Sequence, residues 1–69
     1  MELQEHQKRV IEEKAELDEK LGRLKEFFTT DTFNNVDAVE QQRLRRQASV
    51  MNIYSDVLGE RVSAFLMNA

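Results

Sequence analysis

Cysteine, proline and tryptophan are absent from this 69-residue sequence, and glycine occurs only twice. Without cysteine the chain can form neither disulfides nor thiolate metal sites, which suits a reducing compartment. His6 is the only histidine, so a zinc site built from this chain alone is implausible. Few residues interrupt a helix. Small folds that lack disulfides and metals usually depend on a partner chain for stability.

The charge balance excludes further classes of protein. Charged residues make up 33% of the chain and the net charge is −3. Proteins that bind DNA or RNA through their phosphates need a cationic excess, so we expect no nucleic-acid polymer as a partner. No apolar run approaches the length that spans a membrane, and the first residues do not resemble a signal peptide. We therefore expect a cytoplasmic protein.

Two long helical patterns occupy most of the chain. The first runs from Leu3 to Phe28 and is rich in glutamate, lysine, glutamine and leucine, which are strong helix formers. Lys14 interrupts its apolar face, and Ile11 and Phe27 widen it. The face recurs at steps of three, four or seven residues, at Leu3, Val10, Leu17, Leu21, Leu24 and Phe28.

The helical pattern fails after Phe28. Thr29–Thr32 contains residues that compete for backbone hydrogen bonds, and Phe33–Val36 is typical of a short turn with apolar ends tucked beneath it. Asp37 followed by Glu40 predicts a capping box that starts the second helix at about Ala38. The main stripe of that helix is Leu44, Met51, Leu58 and Phe65, with Ala48, Tyr54 and Val62 beside it.

These patterns predict an all-α fold, an antiparallel two-helix hairpin with a short helical turn in the connection. We expect one domain over residues 1–69, with helices at about 3–28 and 38–66 and a connection at about 29–37. Gly59 indicates either a close backbone approach or a tolerated substitution. A single seam between two helices leaves apolar residues exposed, which predicts a homo-oligomeric bundle. These residues are Ile11, Phe27, Val50, Ile53 and Val57.

The sequence shows no catalytic constellation: it has no cysteine nucleophile, no glycine-rich phosphate loop and no recognisable serine–histidine–aspartate set. We expect neither enzymatic activity nor a cofactor. The cluster Arg43–Arg46 fits either a solvated face paired with carboxylates or an anion site. Lys20 and Arg61 lie close to the apolar faces, where a cation extends to solvent, pairs with a carboxylate or meets a ligand.

The sequence resembles the helical-hairpin domain of phage anti-defence sponges, which is shared by the anti-CBASS sponge and one type of anti-Thoeris sponge. The similarity lies in the run HQKRVIEEKAELDEKL over His6–Leu21 and in Leu24–Phe28. It continues in a second pattern of Arg43, Leu44, Gln47, Met51, Tyr54, Val57, Leu58, Arg61, Val62 and Phe65.

The resemblance implies a hexamer that binds cyclic di- or trinucleotides in the host cytoplasm and withholds these immune signals without cleaving them. It matches Lys20 to a lysine that serves a dinucleotide pocket, and Arg61 to an arginine that serves a trinucleotide site. His6 is the nearest substitute for a family aromatic residue that is missing here. With Arg9 and Tyr54, these residues form the predicted ligand-binding set. The alternative is a structural or regulatory hairpin that binds another protein through its apolar face.

Overall fold

The computed structural model describes residues 2–67, and these form three helices and no strand. Helix α1 spans Glu5–Phe27, α2 spans Asp31–Asn34 and α3 spans Ala38–Met67. The long helices α1 and α3 lie antiparallel in a rod of 50 × 15 × 14 Å. The predicted all-α hairpin with a helical turn in its connection is therefore confirmed. Of the predicted domain, Met1, Asn68 and Ala69 lie outside the described residues.

Phe33 anchors the connection between the long helices. Its side chain is only 1% exposed. The Phe33 ring meets the rings of Phe27 and Phe28, with centroids 5.7 and 4.9 Å away. The Thr30 hydroxyl accepts a hydrogen bond from the Phe33 N–H at 3.2 Å and donates one to the Phe27 carbonyl at 2.7 Å. Thr30, which follows the end of α1, thus caps α2 and holds Phe33 in place.

The start of α3 is tied to this connection by side-chain hydrogen bonds. The Gln41 amide donates to the carbonyls of Phe33 at 2.8 Å and Val36 at 3.1 Å. Asp37 accepts a bond from the Val39 N–H at 3.2 Å, so it caps α3. The carboxylate of the predicted capping-box partner, Glu40, pairs with the Arg43 guanidinium at 3.3 Å. That pair gives Arg43 the role of a solvated surface cation.

The core is one narrow seam along which α1 and α3 meet. Val10 and Leu21 of α1 are buried there, as are Ala48 and Leu58 of α3. The sequence pattern placed Tyr54 beside this stripe, but the tyrosine is 43% exposed. The adjacent Ser55 is buried instead. Each residue turns about 100° around a helix, and this rotation brings Ser55 to the seam and takes Tyr54 to its flank.

A second apolar stripe runs along the opposite side of α3. Val50, Ile53 and Val57 are 65%, 63% and 43% exposed, and Val39 further along the same stripe is 53% exposed. Of the other residues expected off the seam, Ile11 is 37% exposed. Phe27 is half-buried, because the ring of Phe33 covers it. A single hairpin therefore leaves α3 apolar on two sides.

We expect Gly59→Ala to stabilise the isolated hairpin by about 0.5–1 kcal/mol, through helix propensity. A methyl group at Gly59 would lie 3.5 Å from Lys14 Cε, an ordinary contact distance. Urea unfolding followed by circular dichroism measures the change. Gly22→Ala is the matched control, since a methyl group there has nothing within 4 Å. If Gly22→Ala stabilises and Gly59→Ala destabilises, the expectation is wrong, and crowding at Gly59 outweighs the gain in helix propensity.

Candidate functional site

A cluster of three polar side chains lies in the middle of the seam. The Lys14 ammonium donates to the Ser55 hydroxyl at 2.8 Å and to the Asp18 carboxylate at 3.0 Å. The Ser55 hydroxyl donates to the other oxygen of Asp18. Lys14 and Asp18 are one turn apart on α1, whereas Ser55 comes from α3. We call these three residues the seam triad.

The seam triad fixes the register of the two long helices. Shifting α3 along α1 by one turn would leave the buried Ser55 without its partners and the two charges half-covered. An unpaired buried polar group costs about 1–3 kcal/mol. Polar residues in helix seams commonly select one register in this way. Residue numbers on the two helices can therefore be matched: Asp18 lies level with Ser55, and Lys14 with Gly59.

The same contacts set the electrostatics of Asp18. Hydrogen bonds from the Ser55 hydroxyl and the Lys14 ammonium hold the pKa of Asp18 below its usual value of 3.8. Because the carboxylate stays charged in the fold to a lower pH than in the unfolded chain, it stabilises the fold above that usual pKa. This contribution is lost as the pH falls through the lowered pKa.

The helix geometry places all five predicted ligand-binding residues on one side of the hairpin. All five are exposed. His6, Arg9 and Lys20 lie on one flank of α1, turned away from the seam in the direction opposite to Lys14 and Asp18. Tyr54 and Arg61 lie on the flank of α3 that faces the same way. We call this surface the ligand side; the contacts of the seam triad define it, because they fix how each helix is rotated.

Along the ligand side the five residues form two groups. With Asp18 level with Ser55, Tyr54 lies about one residue, or roughly 1.5 Å along the axis, from the level of Lys20. Arg61 lies about three residues from the level of Arg9, and His6 lies one turn beyond Arg9. About 12 Å of axial distance separates the levels of Lys20 and Arg61. Within one chain, Lys20 and Arg61 therefore lie in two separate parts of the ligand side.

The opposite side of the hairpin carries two grooves between α1 and α3. One lies near the connection, with a volume of about 630 Å³, and its walls include Lys25, Phe28 and Arg45. The other, of about 700 Å³, lies near the open end and includes Lys14, Asp56 and Glu60. None of the five predicted residues lines either groove. We call the first the closed-end groove and the second the open-end groove.

Sequence reasoning identified neither the seam triad nor Lys25 as a candidate functional residue. A signal for the triad was present: Lys14 interrupts an apolar face, and Ser55 sits four residues after Met51 and three before Leu58. A lysine and a serine inside facing apolar stripes indicate a polar contact across the seam. Lys25 carried no comparable signal, because it stands among charged residues near the end of α1.

These features define a small all-helical hairpin with exposed polar surfaces. No helix within residues 2–67 is long and apolar enough to cross a membrane. The chain belongs to the Sequestin family, whose model matches residues 4–64. This match confirms the resemblance to the sponge family. No curated protein and no solved structure matches the chain.

We expect Asp18→Asn to remove part of the pH dependence of folding. The parent should lose stability on acidification through and below the usual aspartate pKa, because its carboxylate must then be protonated in the fold. The asparagine variant should be less stable near neutral pH and show a shallower loss toward pH 2. Urea unfolding at a series of pH values measures both. Asp56→Asn makes the same charge change beside the triad and serves as the control; an equal effect of the two substitutions would contradict the assigned role.

Proposed function

We propose that this protein sequesters cyclic oligonucleotide immune signals without cleaving them and so blocks host anti-phage defence. Membership of the Sequestin family supports the proposal, since the family name denotes sequestration. The two groups on the ligand side also support it, because they supply the side chains that a cyclic oligonucleotide requires. Such a ligand carries several phosphates and several flat bases on one ring. Cations and flat or apolar side chains bind these groups.

The first group fits a cyclic dinucleotide. Lys20 supplies a charge to a ring phosphate, and Tyr54, at the same level on the other helix, supplies a flat ring for a base. The tyrosine is 43% exposed, so its ring face is available to a ligand. The family resemblance implies an aromatic residue near the start of α1, and this chain lacks it. Tyr54 lies nearer to Lys20 along the axis than His6 does, so we assign the stacking role to Tyr54.

The second group fits a larger ring. Arg61 and Arg9 lie on the same side of the hairpin near its open end, at levels about three residues apart, and His6 lies one turn beyond Arg9. Two guanidinium groups provide planar sets of donors that match phosphate oxygens. The acidic residues Glu13 and Glu16 occupy the flank of α1 between the two groups. Their negative charge interrupts the cationic surface, so it favours two separate phosphate sites over one continuous site.

The apolar stripe on the outer side of α3 supports assembly of several copies. Arg46, Val50, Ile53, Val57 and Glu60 follow one another at steps of four and three residues, so they lie on one line. This line is nearly symmetric about Ile53, with Arg46 and Glu60 each seven residues from it and Val50 and Val57 three and four residues from it. When two α3 helices pack antiparallel about a twofold axis at Ile53, the apolar residues meet and each Arg46 faces a Glu60 of the other copy. We propose that this pairing is one interface of the homo-oligomer, and that the complete assembly is a hexamer.

Titration with cyclic dinucleotides and cyclic trinucleotides by calorimetry tests the function. We expect binding, and we expect the ligand to be recovered intact after the protein is heat-denatured. Linear products would place the protein among enzymes. A parent that binds neither ligand class but captures a specific protein through its α3 stripe would support the alternative, a structural or regulatory hairpin.

We expect Lys20→Ala to weaken cyclic dinucleotide binding about ten- to a hundredfold and to leave trinucleotide binding intact. Arg61→Ala should do the reverse. A charge-assisted hydrogen bond to phosphate contributes about 1.5–3 kcal/mol, which corresponds to that range. Lys8→Ala and Arg23→Ala are the matched controls and should bind like the parent. The oligomeric state of each variant is measured before titration, because a loss of assembly would weaken the binding of both ligands together. If all four variants bind both ligands like the parent, the assigned residues are wrong.

We expect Arg46→Glu and Glu60→Arg each to weaken self-association, because each places like charges opposite one another across the twofold axis. The double variant Arg46→Glu/Glu60→Arg should restore it, since the pairs are then re-formed with exchanged signs. Sedimentation velocity over a range of protein concentrations measures the change. Glu2→Lys, which lies outside the stripe, is the control. Failure of the double variant to recover association would exclude this antiparallel pairing.

A further inference from the structure

The closed-end groove carries positive charge in a chain whose net charge is negative. Lys25 of α1 and Arg45 of α3 stand on its two walls, and its remaining walls are neutral. The open-end groove on the same side of the hairpin has one lysine and two carboxylates, Asp56 and Glu60. The two grooves are therefore of similar size and opposite charge. Of the two grooves, only the closed-end groove would attract an anionic ligand.

Arg45 is held in place by aromatic packing. Its guanidinium carbon lies 5.3 Å from the centroid of the Phe28 ring and 5.1 Å from that of Phe33. Phe33 is fully buried, so one of the two rings beside the guanidinium belongs to the packed core. A cation over aromatic rings gains stabilisation without using its N–H donors. The guanidinium is thus positioned before any ligand arrives, which lowers the entropic cost of binding.

Neither cation is neutralised by a neighbour. Within residues 2–67 the ion pairs join Lys14 to Asp18, Arg23 to Glu19 and Arg43 to Glu40, and none includes Lys25 or Arg45. Each cation has a structural role in its position. Lys25 complements the dipole at the end of α1, and Arg45 covers the aromatic cluster. These roles leave the hydrogen-bond donors of both side chains available.

The rest of the groove adds polar and apolar surface. Asn52 presents an amide, and Phe28 and Ala48 supply apolar surface, whereas Ile53 at the rim belongs to the proposed α3–α3 interface. The Ser49 hydroxyl donates to the Arg45 carbonyl at 3.2 Å, so it is free only to accept. The volume of about 630 Å³ lies within the range of small-molecule sites, about 300–1,000 Å³. Charge on both walls and the apolar surface between them suit a small organic phosphate.

We propose that the closed-end groove binds a nucleoside phosphate, whose phosphate lies between Lys25 and Arg45 and whose base contacts Asn52. This site is distinct from the ligand side, because it faces the other way across the hairpin. The inference therefore does not depend on the proposed sequestration of cyclic oligonucleotides. It assigns a binding role to two cations that the family resemblance leaves without one.

Titration of ¹⁵N-labelled protein with AMP, at constant ionic strength, tests the proposal. We expect amide signals of Lys25, Ser49 and Asn52 to shift in a saturable manner. Adenosine, which lacks the phosphate, should produce little shift at the same concentrations. Lys25→Gln and Arg45→Gln should each weaken AMP binding about tenfold or more. Arg43→Gln removes a cation two residues before Arg45 that does not line the groove, and it should change binding less than twofold.

Two further variants separate the possible outcomes. Arg45→Lys retains the charge but not the planar guanidinium, so a folded Arg45→Lys with partial affinity would support the proposal even if Arg45→Gln unfolds. The double variant Lys20→Ala/Arg61→Ala should bind AMP like the parent, whatever happens to its cyclic ligands. The proposal is overturned if AMP shifts none of these signals, or if the same signals shift only with protein concentration. The second result would mean that another copy fills the groove.

Discussion

The contact of Lys14 and Asp18 with Ser55 determines where every other surface of this hairpin lies. Two amphipathic helices with apolar residues at steps of three and four can pack in several registers, because leucine, methionine and valine accept one another as neighbours. A lysine, a carboxylate and a hydroxyl cannot exchange partners so freely, since each must keep its hydrogen bonds. The seam triad thus converts a generally apolar seam into one register.

That register gives the hairpin two different sides. On one side, Lys20 and Tyr54 lie at nearly the same level at the centre, and Arg9 and Arg61 lie near the open end. On the other side, two grooves of similar volume differ in charge. A shift of one turn would move α3 by about 5.4 Å along α1 and would separate Lys20 from Tyr54. The surfaces that bind ligands in our proposals are therefore consequences of a structural contact that itself binds none.

The aromatic cluster of Phe27, Phe28 and Phe33 plays the corresponding part at the closed end. Its three rings pack together where the connection is short, and two of them lie against the Arg45 guanidinium. Much of the stability of so small a chain must come from such local packing, because the seam buries few residues completely. The exposed stripe on α3 shows what the seam leaves uncovered. A hairpin built in this way is suited to assembly, since its outer surface is apolar along one line and charged at both ends of that line.

The sequence by itself determined the two long helices, the helical turn between them and the excess of apolar residues on α3, because these follow from local propensity and periodicity. The sequence also allowed the family to be recognised, since the residues that carry the resemblance are a continuous run in α1 and a spaced pattern in α3. Only the tertiary structure decided that Ser55 rather than Tyr54 enters the seam, that Lys20 and Tyr54 lie at one level, and that Lys25 faces Arg45. These relations join residues about 20 to 40 positions apart. They depend on the rotation and register of one helix against the other, and periodicity within a single helix contains no information about either.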